Sequence, residues 1–134
     1  MGVTYLLDTH VFVWLVSPPT GGVPEHVMEA LDVPGSRCVV SAVSAFEVAT
    51  KVRLGKFDAA RDLVARWHHY VDRLGAQRLD LSSEHAIEAG RLDWDHRDPF
   101  DRLLAAQAHI DGLTFVTSDT AFDGAPGVSV LGWS

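Results

Sequence analysis

The chain has 134 residues, 47% of them apolar and 22% charged, which fits one soluble globular domain with a core of its own. Its longest uninterrupted apolar run, Val11–Val16, is far short of the roughly 20 residues a membrane-spanning helix needs. No signal peptide is evident, and the cytoplasm is the expected compartment. The single Cys38 excludes an internal disulfide and any multi-cysteine zinc site, and its apolar neighbours Val39 and Val40 make it a core residue. Eleven Lys and Arg against eighteen Asp and Glu give a formal charge of −7, the wrong sign for a general nucleic-acid binder. The excess is not decisive if several acids share one pocket. Arg53, Lys56, Arg61 and Arg66 are candidates for a local basic stripe, although a solvated helix face explains them too.

In chain order, Val3–Leu7 reads as a short buried strand and His10–Val16 as a helix started at Asp8-Thr9. Ser17–Gly22 is a loop by its breakers. Pro24–Leu31 is a helix, Arg37–Val40 a second strand, and Ser41 the cap of a helix running to about Leu54 and closed by Gly55. Ala59–Leu74 reads as one long helix ending at Gly75. Gln77–Leu81 is a candidate strand. Helices follow from Ser82/Ser83 to about Leu92 and from Asp98-Pro99 to about Ile110, the latter stopped by Gly112. Thr114–Thr117 and Val128–Leu131 complete the strands. Strands that alternate with helices and are continuously apolar predict a parallel sheet of four to five strands covered on both faces, a three-layer α/β/α fold. A single domain spanning 1–134 is expected.

Ligands of such folds bind beyond the carboxyl ends of the strands. Four acids fall there: Asp8 after the first strand, Glu47 in the helix after the second, Asp101 in Asp98-Pro99-Phe100-Asp101-Arg102, and Asp119 after Phe115–Ser118. Each has a local explanation. Asp8 and Asp119 suit caps, and Glu47 stands four residues before Lys51 in the favourable order for an ion pair. Asp98 suits an N-cap with Pro99 at the first helical position, and Asp101 then suits the helix dipole. Yet Asp101 shares a face with Leu104, Ala105 and Ala108, and Glu47 lies on a partly apolar row with Val43 and Leu54. A carboxylate on a buried face is costly unless paired or metal-bound. Four acids converging on one sheet edge call for a divalent cation, and oxygen ligands suit Mg²⁺ or Mn²⁺. The expected metal ligands and catalytic acids are Asp8, Glu47, Asp101 and Asp119. Asp98 serves as cap and support, its direct contact with metal left open. The chemistry suggested is attack on a phosphate ester.

With these segments in view, the chain resembles a PIN domain, and within that family a VapC-type toxin ribonuclease of a toxin–antitoxin pair. The segments are Tyr5-Leu6-Leu7-Asp8-Thr9-His10, Ser41-Ala42-Val43-Ser44-Ala45-Phe46-Glu47, Asp98 through Ala108, and Val116-Thr117-Ser118-Asp119 followed by Phe122. The third segment is the most specific. The resemblance implies Mg²⁺- or Mn²⁺-dependent RNA cleavage, homodimerisation and inhibition by a cognate antitoxin. It makes Asp8, Glu47 and Asp101 the core acids and Asp119 the more variable fourth. His10 and His96 lie near acids and could move a proton, but both read as structural or solvent-facing. Trp94 and Arg97 are candidates for stacking on and gripping an RNA base, and packing explains Trp94 equally well. Thr9 and Thr117 read as capping residues. Trp14, Trp67 and Tyr70 read mainly as core, with one of them available to a dimer partner or antitoxin helix.

Two rival enzyme readings fit less well. A haloacid-dehalogenase-type phosphatase wants an acid two residues after the first, where this chain has His10. A receiver domain wants a late lysine, and none follows Lys56. A third reading, a non-catalytic module whose acidic pocket takes a partner's arginine, stays open at this stage.

Overall fold

The computed structural model describes residues 2–17 and 22–133, so part of the expected Ser17–Gly22 loop lies outside the described residues. Five strands form one parallel sheet: β1 (Thr4–Leu7), β2 (Arg37–Ser41), β3 (Gln77–Leu79), β4 (Thr114–Thr117) and β5 (Ser129–Gly132), in the order β3-β2-β1-β4-β5. The helices are α1 (Thr9–Val16), α2 (Glu25–Leu31), α3 (Ala42–Arg53), α4 (Arg61–Ala65), α5 (Trp67–Leu74), α6 (Ser83–Arg91) and α7 (Pro99–Asp111). Short 3₁₀ turns cover Asp58–Ala60 and Thr120–Gly124.

The central strands β1, β2 and β4 are buried on both faces, which is why they read as apolar runs, while the edge strands β3 and β5 are partly exposed. Tyr5, Leu7, Val40 and Val116 face a core filled by Val11 and Phe12 of α1, Val48 of α3 and Val71 of α5. Their strand neighbours Leu6, Val39 and Phe115 face the opposite core, filled by Leu104, Ala105 and Ala108 of α7 and by Phe122. The period-two alternation of each strand thus divides the molecule into three layers. Cys38 is half-buried, and burial pushes its thiol pKa up, as expected of a packed rather than reactive cysteine.

Most predicted boundaries hold within one or two residues. Ser41 caps α3 through a bond from the Val43 N–H (2.9 Å), and Asp98 caps α7 with Pro99 next to it. Gly75 and Gly112 end α5 and α7 in the left-handed conformation, at φ of 75° and 65°, where a β-carbon is strained. One prediction fails. Ala59–Leu74 is not one helix but a 3₁₀ turn, α4 and α5, broken at Arg66 (φ −123°, ψ 40°). No glycine or proline causes the break. The segment α4 packs on α3, whereas α5 packs on α1 and β3, with the Trp67 ring 5.0 Å from that of Phe12. A straight rod does not follow both surfaces, and tertiary packing overrides local propensity. The strand predicted for Gln77–Leu81 also stops at Leu79.

Candidate functional site

A parallel sheet brings all strand C-termini to one edge, and β1 lies between β2 and β4 there. Asp8 leaves β1 at that edge. Its N–H still bonds the Val116 carbonyl of β4 (2.9 Å), which ties its position to the sheet. One carboxylate oxygen accepts from the Thr9 N–H (2.7 Å) and the other from the Thr117 hydroxyl (2.6 Å). The Thr117 oxygen in turn accepts from the Asp119 N–H (3.0 Å), so one hydroxyl joins the ends of β1 and β4. Burial raises the pKa of Asp8, and the nearby Glu47 charge adds to it; the two hydrogen bonds oppose the shift.

Glu47, in the second turn of α3, is almost fully buried. Its Oε1 accepts from Thr9 Oγ1 (2.7 Å), and the Ser44 hydroxyl lies 2.9 Å from the same threonine oxygen. Its Oε2 pairs with Lys51 Nζ at 2.6 Å. The expected helical ion pair therefore exists, but beside the other acids. Thr9, expected to cap, does not: Asp8 caps α1, while the Thr9 hydroxyl holds Glu47, and Thr117 both accepts from the Asp119 N–H and holds Asp8.

Asp101 stands in the first turn of α7, its N–H bonded to Asp98 Oδ1 (3.1 Å). Its carboxylate is mostly sheltered, and Oδ2 lies 2.6 Å from His96 Nε2. Burial lifts its pKa from 3.8 to about 6; the Asp98 and Asp8 charges push the same way, and the His96 bond works against them. Asp119 is exposed and caps the 3₁₀ turn through the Ala121 N–H (2.9 Å). Ligand atoms of His96, Asp101 and Asp119 all lie within 4.8 Å of one another.

These side chains meet in a cleft of about 410 Å³ lined by Asp8, His10, Trp14, Glu47, Lys51, Asp98, Asp101, Ser118 and Asp119. It brings together all four acids expected as ligands, plus the supporting Asp98. Five carboxylates face one ammonium. Oxygen-rich donors, partly desolvated and held by hydroxyls, are suited to a hard divalent cation such as Mg²⁺ or Mn²⁺. His10 is exposed at the rim.

Trp94 and Arg97 are not among the residues lining the cleft. Trp94 is half-buried against Phe122 (5.4 Å between rings) and His96 (4.8 Å), and Arg97 is exposed. Two members of the supposed basic stripe are engaged with acids, Arg61 with Asp58 and Arg66 with Asp62.

Two features escaped the sequence reading. Of the two roles expected for His96, structural or solvent-facing, the structure gives the structural one, but its partner Asp101 was not foreseen. The loop that carries it is fastened by Arg102, whose guanidinium donates to the carbonyls of Ala89 (2.9 Å), Leu92 (2.7 Å), Trp94 (2.8 Å) and His96 (3.0 Å). Arginine's planar fork of five donors suits such a clasp. The adjacency of Asp101 and Arg102 was visible; the carbonyl partners were not.

A model described as the PIN domain matches residues 5–128. No curated protein matches the chain in sequence. Several solved structures share its fold. VapBC2 from Rickettsia felis, bound to a DNA fragment from its promoter, aligns at 17% identity with a TM-score of 0.71, over 98% of this chain and 100% of that one. VapBC-1 from nontypeable Haemophilus influenzae aligns at 17% identity and 0.69, over 98% of both chains. VapBC-5 from Mycobacterium tuberculosis aligns at 22% and 0.61, over 98% and 99%. The family match runs from β1 almost to β5 and takes in every acid of the cleft: the chain belongs to the PIN domain family.

Proposed function

We propose that the protein is a Mg²⁺- or Mn²⁺-dependent endoribonuclease, a single nuclease domain acting as the toxin of a toxin–antitoxin pair. The observation that carries this reading is the cleft itself, where Asp8, Glu47, Asp101 and Asp119 arrive from four separate segments. When bound there, the cation supplies Lewis acidity toward a phosphodiester and neutralises the charge that develops on it. The chain's own residues supply order. Thr117 fixes Asp8, Thr9 fixes Glu47, and His96 fixes Asp101. Asp98 orients the start of α7. No side chain needs to act as a covalent nucleophile, and water is the attacking group.

The neighbours support a partner. VapBC-5 is described as a member of a family of toxin–antitoxin systems, and this chain shares the fold. A cognate antitoxin, a homodimeric state and a cytoplasmic setting complete the proposal. Among the described residues no helix is long and apolar enough to cross a membrane.

The test is cleavage of a mixed RNA pool by pure, partner-free protein with EDTA, Mg²⁺ or Mn²⁺. Cleavage is expected only with a cation. Asp8→Asn and Asp101→Asn are expected to keep the circular dichroism spectrum and lose cleavage by about 100-fold or more, the scale of removing a transition-state interaction. A variant that cleaves as fast as the parent refutes the site. A parent inert with both cations favours the non-catalytic, arginine-binding module.

A further inference from the structure

Lys51 is the one lysine or arginine among the described residues lining the acid cleft. Its Nζ sits 2.6 Å from Glu47 Oε2, the oxygen that Thr9 leaves free. Glu47 is only 7% exposed at its side chain, so its charge needs a partner, and in the structure that partner is Lys51. Lys51 itself is 33% exposed. A lysine ammonium is a compact charge on a flexible four-carbon stem, able to leave one partner for another without backbone motion. A cation bound to Glu47 Oε2 and the Lys51 ammonium compete for one oxygen. An RNA strand entering this cleft meets five carboxylates, and its phosphates find one permanent side-chain cation.

Resting on the nuclease reading above, we propose that Lys51 has two exclusive partners: the Glu47 carboxylate in the cation-free protein, and a phosphate of the RNA strand once a divalent cation has taken Glu47. It is a substrate-binding residue held in reserve by one of the metal ligands.

The proposal predicts effects of opposite sign. In Lys51→Met, Mn²⁺ titrated calorimetrically without RNA is expected to bind several-fold more tightly, because its competitor is gone. A 2′-O-methyl oligoribonucleotide, which resists cleavage, is expected to bind about tenfold more weakly in Mn²⁺. The slope of log affinity against log salt should flatten by about 0.7, the value for one lost phosphate contact on a single strand. Lys51→Arg keeps the charge and should keep the salt slope. Melting curves with and without Mn²⁺ establish that each variant is folded. Unchanged oligonucleotide affinity and salt slope in a folded Lys51→Met overturn the proposal, as does weaker Mn²⁺ binding. A parent that binds Mn²⁺ and cleaves RNA while Lys51→Met behaves like it refutes Lys51 alone. A parent that binds no Mn²⁺ refutes both readings.

Discussion

Asp101→Asn exchanges a sheltered carboxylate for a neutral amide of nearly the same shape. The side chain is 16% exposed, so solvent screens its charge poorly. Its pKa stands at about 6 in the fold against 3.8 ordinarily. Each pKa unit is worth about 1.4 kcal/mol, so ionising it in the cation-free fold costs about 3 kcal/mol. The folded state holds this proton more tightly than the unfolded chain does. The associated stability is therefore complete below the unfolded pKa, declines as pH rises, and is gone above the folded pKa. Asparagine does not ionise and escapes the decline. It weakens the bond to His96, a loss of about 1 kcal/mol. At about pH 4 the variant should be slightly less stable than the parent, and at about pH 8 more stable by about 1–2 kcal/mol, the gain being the pH-linked term. At the per-residue unfolding entropy typical of globular domains, that gain is a rise in Tm of several degrees. The assay is thermal melting in EDTA at both pH values, then with Mn²⁺. Saturating Mn²⁺ at about 100 times Kd adds about 2.7 kcal/mol to the parent. The variant should gain much less. Equal destabilisation at both pH values, or an equal Mn²⁺ response, would show that Asp101 carries no such burden.

Two more substitutions probe the supports of the site. Thr117→Val keeps the shape and removes both the bond to Asp8 and the acceptor for the Asp119 N–H. Loss of such an outer partner should weaken Mn²⁺ binding by about tenfold or more, and unchanged calorimetric affinity would contradict it. Arg102→Met strips four carbonyls of their donor. Chemical denaturation should show a loss of about 2–4 kcal/mol, and the His96 imidazole resonances should shift as its loop loosens. An undisturbed His96 signal would show that the loop holds without the clasp.

The middle of the sheet was legible because β1, β2 and β4 are buried on both faces, which leaves an apolar run such as Tyr5-Leu6-Leu7 with little other use. Caps were legible because Asp98-Pro99 and Ser41 act locally, on N–H groups two or three residues away. The acids were legible as a set once the strands were taken as parallel, although the strand order was not. The break at Arg66 had no local signal, since it answers to two packing surfaces that belong to other segments. The partner of His96 was missed for a related reason. His96 lies in a loop without periodicity, and its aim at Asp101 depends on four carbonyl bonds that no spacing rule encodes. The ion pair with Lys51 was one of the local explanations weighed for Glu47, but the place of Lys51 in the cleft depended on the face that α3 turns to the sheet edge.

The central position of β1 also sets a timetable. Asp8 takes its second hydrogen bond from a hydroxyl 109 residues later, and its own N–H bonds β4. Contacts so distant in sequence form late, both in refolding and on the ribosome. A nascent chain that has emerged only as far as α6 displays Asp8 and Glu47, but neither Asp101, Thr117 nor Asp119. The cleft is therefore complete only once β4 and the turn after it have been made. Premature release of the chain before α7 yields a fragment without the site.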